Sequence, residues 1–497
     1  MNTCDPSRRR RARRSAGAPD ARYRLGVPSL SVSPHARSLT ALTALAAVVG
    51  ALTGLVAATF QRCLEWLGSS RTGLIARMHE LATGSPLTAV GLFALSALVC
   101  ATCAAVAAAL VARIEPAAAG SGIPRIEATV SGIAPADRLR ILPVKYVGGL
   151  LAIGSGLALG REGPLVQMGG SLAVAVNKVA RLDREDLRVL IGSGAAAGLA
   201  TAFSAPIAGG VFVLEELLKR FDVRTSIAAL TSSGVGFISA RLIVGSEPVL
   251  HMPPIPEPRP VNALWIGVVG VVCGLLGVLY NWLVVRCMDL SDRITLPRWA
   301  KAAAVGVLVA AIGWFAPQLV GGGDNLTESA LAGTGTIPVV IGVLALRYVL
   351  GPVSYATNVP GGLFAPMLVL GTHVGLLVGL VAEAVVGATG PSPAAMALTG
   401  MAAFFASTVQ APVTGLVLAT EMTDQTTMLP PMLGACAISL LVATALRSVP
   451  IYERLARRSA LTTGGPVEGP VEPPDADGHP GAPPGAGAGT RARRRAR

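Results

Sequence analysis

Charged side chains are scarce in this chain of 497 residues, at 14%, while 52% of it is hydrophobic. That scarcity, with a mean hydropathy of +0.60, excludes an ordinary water-soluble domain and predicts an all-α protein that crosses a bilayer several times. Histidine is rarer still, and its five copies form no ligand cluster, so no metal is implied. The seven cysteines are scattered, and the close pair Cys100 and Cys103 lies on one face of an apolar run. There two small buried hydrophobes are a better reading than redox or metal chemistry. No motif of the nucleophile or phosphate-cradle type occurs, which leaves an intramembrane enzyme as a distant reading and implies no catalytic residue and no cofactor.

What is present are long charge-free runs at 39–60, 86–112, 263–284 and 363–381. Each is long enough for a hydrocarbon core about 30 Å thick. The stretch before the first run is too long and too basic for a secretory leader, so that run is expected to be retained. The net charge of +13 is concentrated at the ends, in RRRRARR at 8–14 and RARRRAR at 491–497. Two basic ends place both termini in the cytoplasm by the positive-inside rule, next to anionic lipid of the cell membrane rather than nucleic acid. The expected organisation is a basic, disordered arm at 1–36, a multi-pass membrane domain at 37–457, and a Pro/Gly-rich disordered tail at 458–497, with no regulatory domain after the membrane region.

Between residues 145 and 214 the apolar segments are short, broken by GREGP at 160–164, by the charged stretch 181–188, and by Pro206. Such interruptions predict helices that stop partway through the membrane around a protein-lined transport site. The chain also resembles itself. Residues 194–215 align with 400–421 at nine identities in 22 positions, pairing Pro206 with Pro412, Gly209 with Gly415 and Glu215 with Glu421. GREGPLVQMG at 160–169 matches GLFAPMLVLG at 362–371 as G-x-x-x-P-x-x-x-x-G. The two halves, about 39–250 and 262–457, are separated by MPPIPEPRP at 252–260. Duplicated membrane domains are commonly inverted, with a binding site near the midplane between the halves.

GSGIP at 120–124, GREGP and GLFAP each put glycine where a helix begins and proline in its first turn. A helix start leaves backbone N–H groups unpaired and carries roughly half a positive charge. Several starts aimed at one point form an anion site without a full charge, from which a small anion such as chloride can leave again.

The ordered set GSGIP, GREGP, GLFAP, with LRILPVKYVGG before GREGP and GAAAGLATAFSAPIAGGVFVLEE after it, resembles the CLC family of chloride channels and chloride/proton antiporters, of the prokaryotic type without CBS domains. The resemblance covers about residues 39–457. It implies two inverted-topology repeats of tilted, partly broken helices and a homodimer in which each subunit holds its own pathway. It also implies a central chloride site formed by Ser121 and Gly122, by Arg161, Glu162 and Gly163 at GREGP, by the N–H groups of Leu363 and Phe364, and by Tyr452. By the same resemblance Glu162 is the gating glutamate, which competes with chloride when ionised and swings away when protonated, and Glu216 is the inner proton glutamate, with Glu215 beside it. A glutamate at the second position favours exchange of chloride for protons over a passive chloride channel. Serine in GSGIP and proline in GREGP favour chloride over the nitrate-selective and fluoride-exporting branches, while bromide or nitrate could share the pathway.

Plainer readings of the same residues compete with these. Ser121 could be a helix N-cap, Tyr452 an interfacial aromatic near Arg454, Glu162 an ion pair with Arg161, and Glu215 or Glu216 an i,i+4 partner of Lys219 or Arg220.

Overall fold

The computed structural model describes residues 34–245, 250, 252, 255 and 262–462. The first half comprises α1 (Pro34–Ala82), α2 (Pro86–Arg113), α3 (Ile123–Val130), α4 (Ile141–Gly154), α5 (Glu162–Ala180), α6 (Arg184–Phe203), α7 (Pro206–Phe212) and α8 (Val223–Val244). The second comprises α9 (Ala263–Arg293), α10 (Arg298–Phe315), α11 (Asp324–Leu331), α12 (Ile337–Tyr355), α13 (Phe364–Val386), α14 (Pro393–Thr408), α15 (Pro412–Thr423), α16 (Leu429–Ala445) and α17 (Ile451–Thr462). Eight of these helices are long and apolar enough to cross a membrane. The first three charge-free runs fall within α1, α2 and α9, and the fourth starts at Leu363, the residue before α13, and continues into that helix. The α13 window is 83% buried, against 44% or less for the other seven, so this helix runs through the protein interior rather than along lipid.

Two expected boundaries shift. α1 begins at Pro34 and α17 continues to Thr462, so the edges expected at 36/37 and 457/458 fall inside helices. The rest of the arm and tail lies outside the described residues, as does most of the separator, of which Met252 and Ile255 pack against the core.

Local sequence explains many of the helix ends. Proline stands in the first turn of α2, α3, α7, α12, α14, α15 and α16, where its missing N–H leaves nothing unpaired. Asp183, Asp222 and Ser392 cap α6, α8 and α14 by accepting from Asp186, Thr225 and Ala395 N–H groups at 2.8, 3.0 and 3.2 Å. The helices pack closely where glycine permits it. At Gly169 against Gly194, and again at Gly371 against Gly400, a side-chain carbon would collide with the facing backbone. The first contact joins α5 to α6 and the second joins α13 to α14, so one packing device is used in both halves.

The halves are related by reciprocal contacts between the residues that the internal alignment equates. Gly160 N–H donates to Gly362 O, and Gly362 N–H donates to Gly160 O, each at 2.8 Å. The Glu215 carboxylate accepts from Val413 N–H at 3.1 Å and Thr414 N–H at 2.7 Å, at the start of α15. The Glu421 carboxylate accepts from Ile207 N–H at 2.9 Å and Ala208 N–H at 2.6 Å, at the start of α7. The start of α7 thus meets the far end of α15, and the start of α15 meets the turn that continues α7 at 213–217, so α7 and α15 are antiparallel and the repeats are inverted.

Candidate functional site

Three loops with glycine-rich sequences are stitched together at the centre of the protein. Besides the Gly160–Gly362 pair, Gly361 N–H donates to Gly120 O at 3.1 Å, and Lys145 Nζ donates to the same carbonyl at 2.6 Å. These bonds bring the starts of α3, α5 and α13 together, with Leu363 and Phe364 fully buried at the last of them. Backbone N–H groups from three helix starts then share one region, which is the electrostatic setting of an anion site.

Ser121, Glu162 and Tyr452 lie in the interior at 1%, 1% and 0% exposure. The cap of α3 is Gly122, in a left-handed conformation at φ 88°, and Ser121 Oγ is 3.5 Å from Ile123 N, too long to be a strong cap. Gly163 packs directly on Ser121, where a side-chain carbon would overlap Oγ. Tyr452 is no interfacial aromatic. Its ring meets Phe212 edge-on at 6.4 Å, Phe212 meets Phe364 at 5.9 Å, and its hydroxyl has no partner among the described residues.

Glu162 opens α5, and its carboxylate occupies space that a side chain at Gly160 would fill. Its Oε2 is buried with no hydrogen-bond partner among the described residues. Arg161 does not neutralise it, since Arg161 Nε donates to Ala202 O at 3.3 Å and Nη1 pairs with Asp324 at 3.5 Å. Nε and Nη1 of the guanidinium are thus engaged away from the Glu162 carboxylate. On one side Glu162 borders a cavity of about 770 Å³, lined also by residues 64–73 and 317–325. That cavity and the bond from Arg224 to Ser38 lie toward opposite ends of α1.

Glu215 and Glu216 diverge. The helix widens there into a π-turn, Val213–Leu217, closed by Leu218 N–H donating to Val213 O at 2.8 Å. Glu215 turns to the start of α15, where it also accepts from Thr414 Oγ1 at 2.7 Å. Glu216 turns inward, buried, with Oε1 unpartnered. The i,i+4 reading fails as well, because Lys219 pairs with Glu127 at 3.3 Å and Glu453 at 3.8 Å, and Arg220 with Glu185 at 3.9 Å. Because Glu421 holds two N–H groups in an apolar setting, Glu421→Ala is expected to cost roughly 2 kcal/mol. Thermal unfolding in detergent should show a lower midpoint, with Glu421→Gln between that variant and the parent.

Two residues of this site were missed by the sequence reading. Tyr355 OH accepts from Ser121 N–H at 3.5 Å, and nothing local marks that tyrosine. Lys145 is fully buried, and a lysine in an apolar helix was itself the available signal.

The family profile described as "Voltage gated chloride channel" matches residues 103–444. The H(+)/Cl(-) exchange transporter ClcA of Salmonella paratyphi A is 35% identical over 427 residues, covering 84% of this chain and 89% of that protein. A slow cyanobacterial Cl-/H+ antiporter superimposes with a TM-score of 0.80 at 31% identity, over 85% of this chain and 99% of that one. A eukaryotic CLC transporter shares the fold with a TM-score of 0.67 at 21% identity, over 85% and 75%.

Proposed function

The chain belongs to the voltage-gated chloride channel family, and from that premise we propose that it exchanges chloride for protons across the cell membrane through the site around Glu162. The observation that carries this reading is a pair of buried carboxylates, Glu162 and Glu216, each with an oxygen that has no partner among the described residues. A passive pathway needs one gate at most. Two titratable groups on either side of an anion site suit a proton that enters at one carboxylate and leaves at the other.

In this mechanism chloride rests among the helix starts, with Ser121 and Tyr452 hydroxyls donating to it and Gly122, Gly163, Leu363 and Phe364 shaping the backbone around it. Ionised Glu162 occupies the same positive field and excludes the anion from it. Protonation removes its charge and its hold on the helix start, so the side chain withdraws and chloride advances. Glu216 supplies the proton from the other face, beside Lys219, Glu127 and Glu453. Glu215 holds α15 and carries no proton. The protein works as a homodimer with one pathway in each copy, and its termini lie on the cytoplasmic side with Ser38, Asp186 and Arg224.

The test is flux in liposomes loaded with chloride, with a pH probe outside and valinomycin clamping the voltage. An outward chloride gradient is expected to drive proton uptake against a proton gradient. Chloride efflux with no proton movement would leave the passive channel as the better reading.

A further inference from the structure

The cavity on the outer side of Glu162 contains a cation that the exchange mechanism has not used. Arg71, on α1, lines the same cavity as Glu162, Arg161 and Asp324. Arg161 is paired with Asp324, whereas Arg71 Nε and Nη1 are buried with no hydrogen-bond partner among the described residues. The guanidinium lies against Gly156, where a side-chain carbon would collide with Nη1. Backbone acceptors in that stretch are already engaged: Gly156 O accepts from Gly321 N–H at 2.8 Å and Ser155 O from Cys100 Sγ at 3.4 Å. Nη2 is turned toward Gly321, a cavity-lining residue, at 3.6 Å from where its side-chain carbon would be.

A half-buried guanidinium with no carboxylate and no carbonyl is costly unless something else completes it. Its N–H groups donate and cannot accept, so the missing partner is an anion or an acceptor oxygen. The cavity it faces ends at Glu162, and the occupant that passes through is a small anion. We propose that Arg71 is the cationic element of an outer anion site, which collects small monovalent anions such as chloride before they reach Glu162. This rests on the reading of Glu162 as the outward gate. One guanidinium bordering a wide cavity binds a small anion and still releases it, as a conducting mouth requires.

Sidedness tests the proposal. Initial chloride uptake is measured against chloride concentration in right-side-out and inverted membrane vesicles from cells expressing the full chain. In right-side-out vesicles Arg71→Met is expected to raise the half-saturating chloride about tenfold, the effect of one lost hydrogen bond to a charged donor. In inverted vesicles the shift should stay below about twofold, and Arg71→Lys, which keeps the charge, should lie near the parent in both. An equal shift in both preparations would mark Arg71 as merely structural, and no shift in either would overturn the site. Should Arg71→Met fail to accumulate, Arg71→Gln serves in the same measurement, and anomalous scattering from bromide-soaked crystals of the parent reads the site directly. A bromide peak within hydrogen-bond distance of Nη2 supports the proposal, and its absence overturns it. Loss of the gate reading would appear separately, as proton pumping that survives in Glu162→Gln.

Discussion

Glu162→Gln is expected to carry chloride while moving no protons. Glutamine keeps the volume and one carbonyl oxygen of the parent side chain but cannot ionise, so it cannot compete with an anion for the helix starts that follow Gly160 and Gly362. In the liposome assay proton uptake should fall to background while chloride efflux persists. The pH profile provides a second readout. In the parent, falling outside pH protonates Glu162 and removes the competitor, so chloride turnover rises as pH falls. In Glu162→Gln that rise should disappear over the same range. Uphill proton movement by this variant, or an unchanged pH profile, would remove Glu162 from the role proposed for it.

The parts of this site that were legible in the sequence are those written in single residues. Glycine and proline at a fixed spacing mark a helix start wherever they occur, so GSGIP, GREGP and GLFAP could be seen as three such starts before their meeting was known. A lone glutamate in an apolar segment is equally conspicuous, because an unpaired carboxylate in a membrane is costly. What stayed hidden depends on facing. Glu215 and Glu216 are neighbours whose directions in an α-helix differ by about 100°, and periodicity alone does not say which one faces inward; only the family resemblance pointed to Glu216. The π-turn and the start of α15 settle their directions, and both are tertiary facts. Tyr355 was out of reach for the same reason, since it meets Ser121 from 234 positions away.

The duplication was visible as weak identity, much of it in alanine and glycine, yet it is written into the fold in stronger terms. Aligned residues bond to each other's halves at Gly160 with Gly362, and at Glu215 and Glu421 with the opposing helix starts. Those two carboxylates have the same type and aligned positions as a matched pair, and their neighbour Glu216 has no such counterpart, because the residue after Glu421 is Met422. Departure from the repeat at one carboxylate suits a task that only one half performs. In an inverted pair each half faces a different side, and a proton route to one side needs a carboxylate in one half alone.

That asymmetry carries the remaining expectation, Glu216→Gln. Chloride flux should continue, since Glu216 is absent from the three helix starts, while proton uptake should fall to background because the second titratable group is gone. The two uncoupled variants would then look alike in a proton assay and differ in a chloride assay. Glu162 is intact in Glu216→Gln and can still be protonated from the vestibule, so chloride turnover should keep its rise toward low outside pH. In the double variant Glu162→Gln, Glu216→Gln the rise should vanish again. If Glu216→Gln instead flattened the pH profile alone, protons would reach Glu162 only through Glu216, and the vestibule would not be a proton entrance. If it pumped protons normally, the inner route would have to run through another buried carboxylate, and Glu127, with Oε2 unpartnered beside Lys219, would be the residue to substitute next.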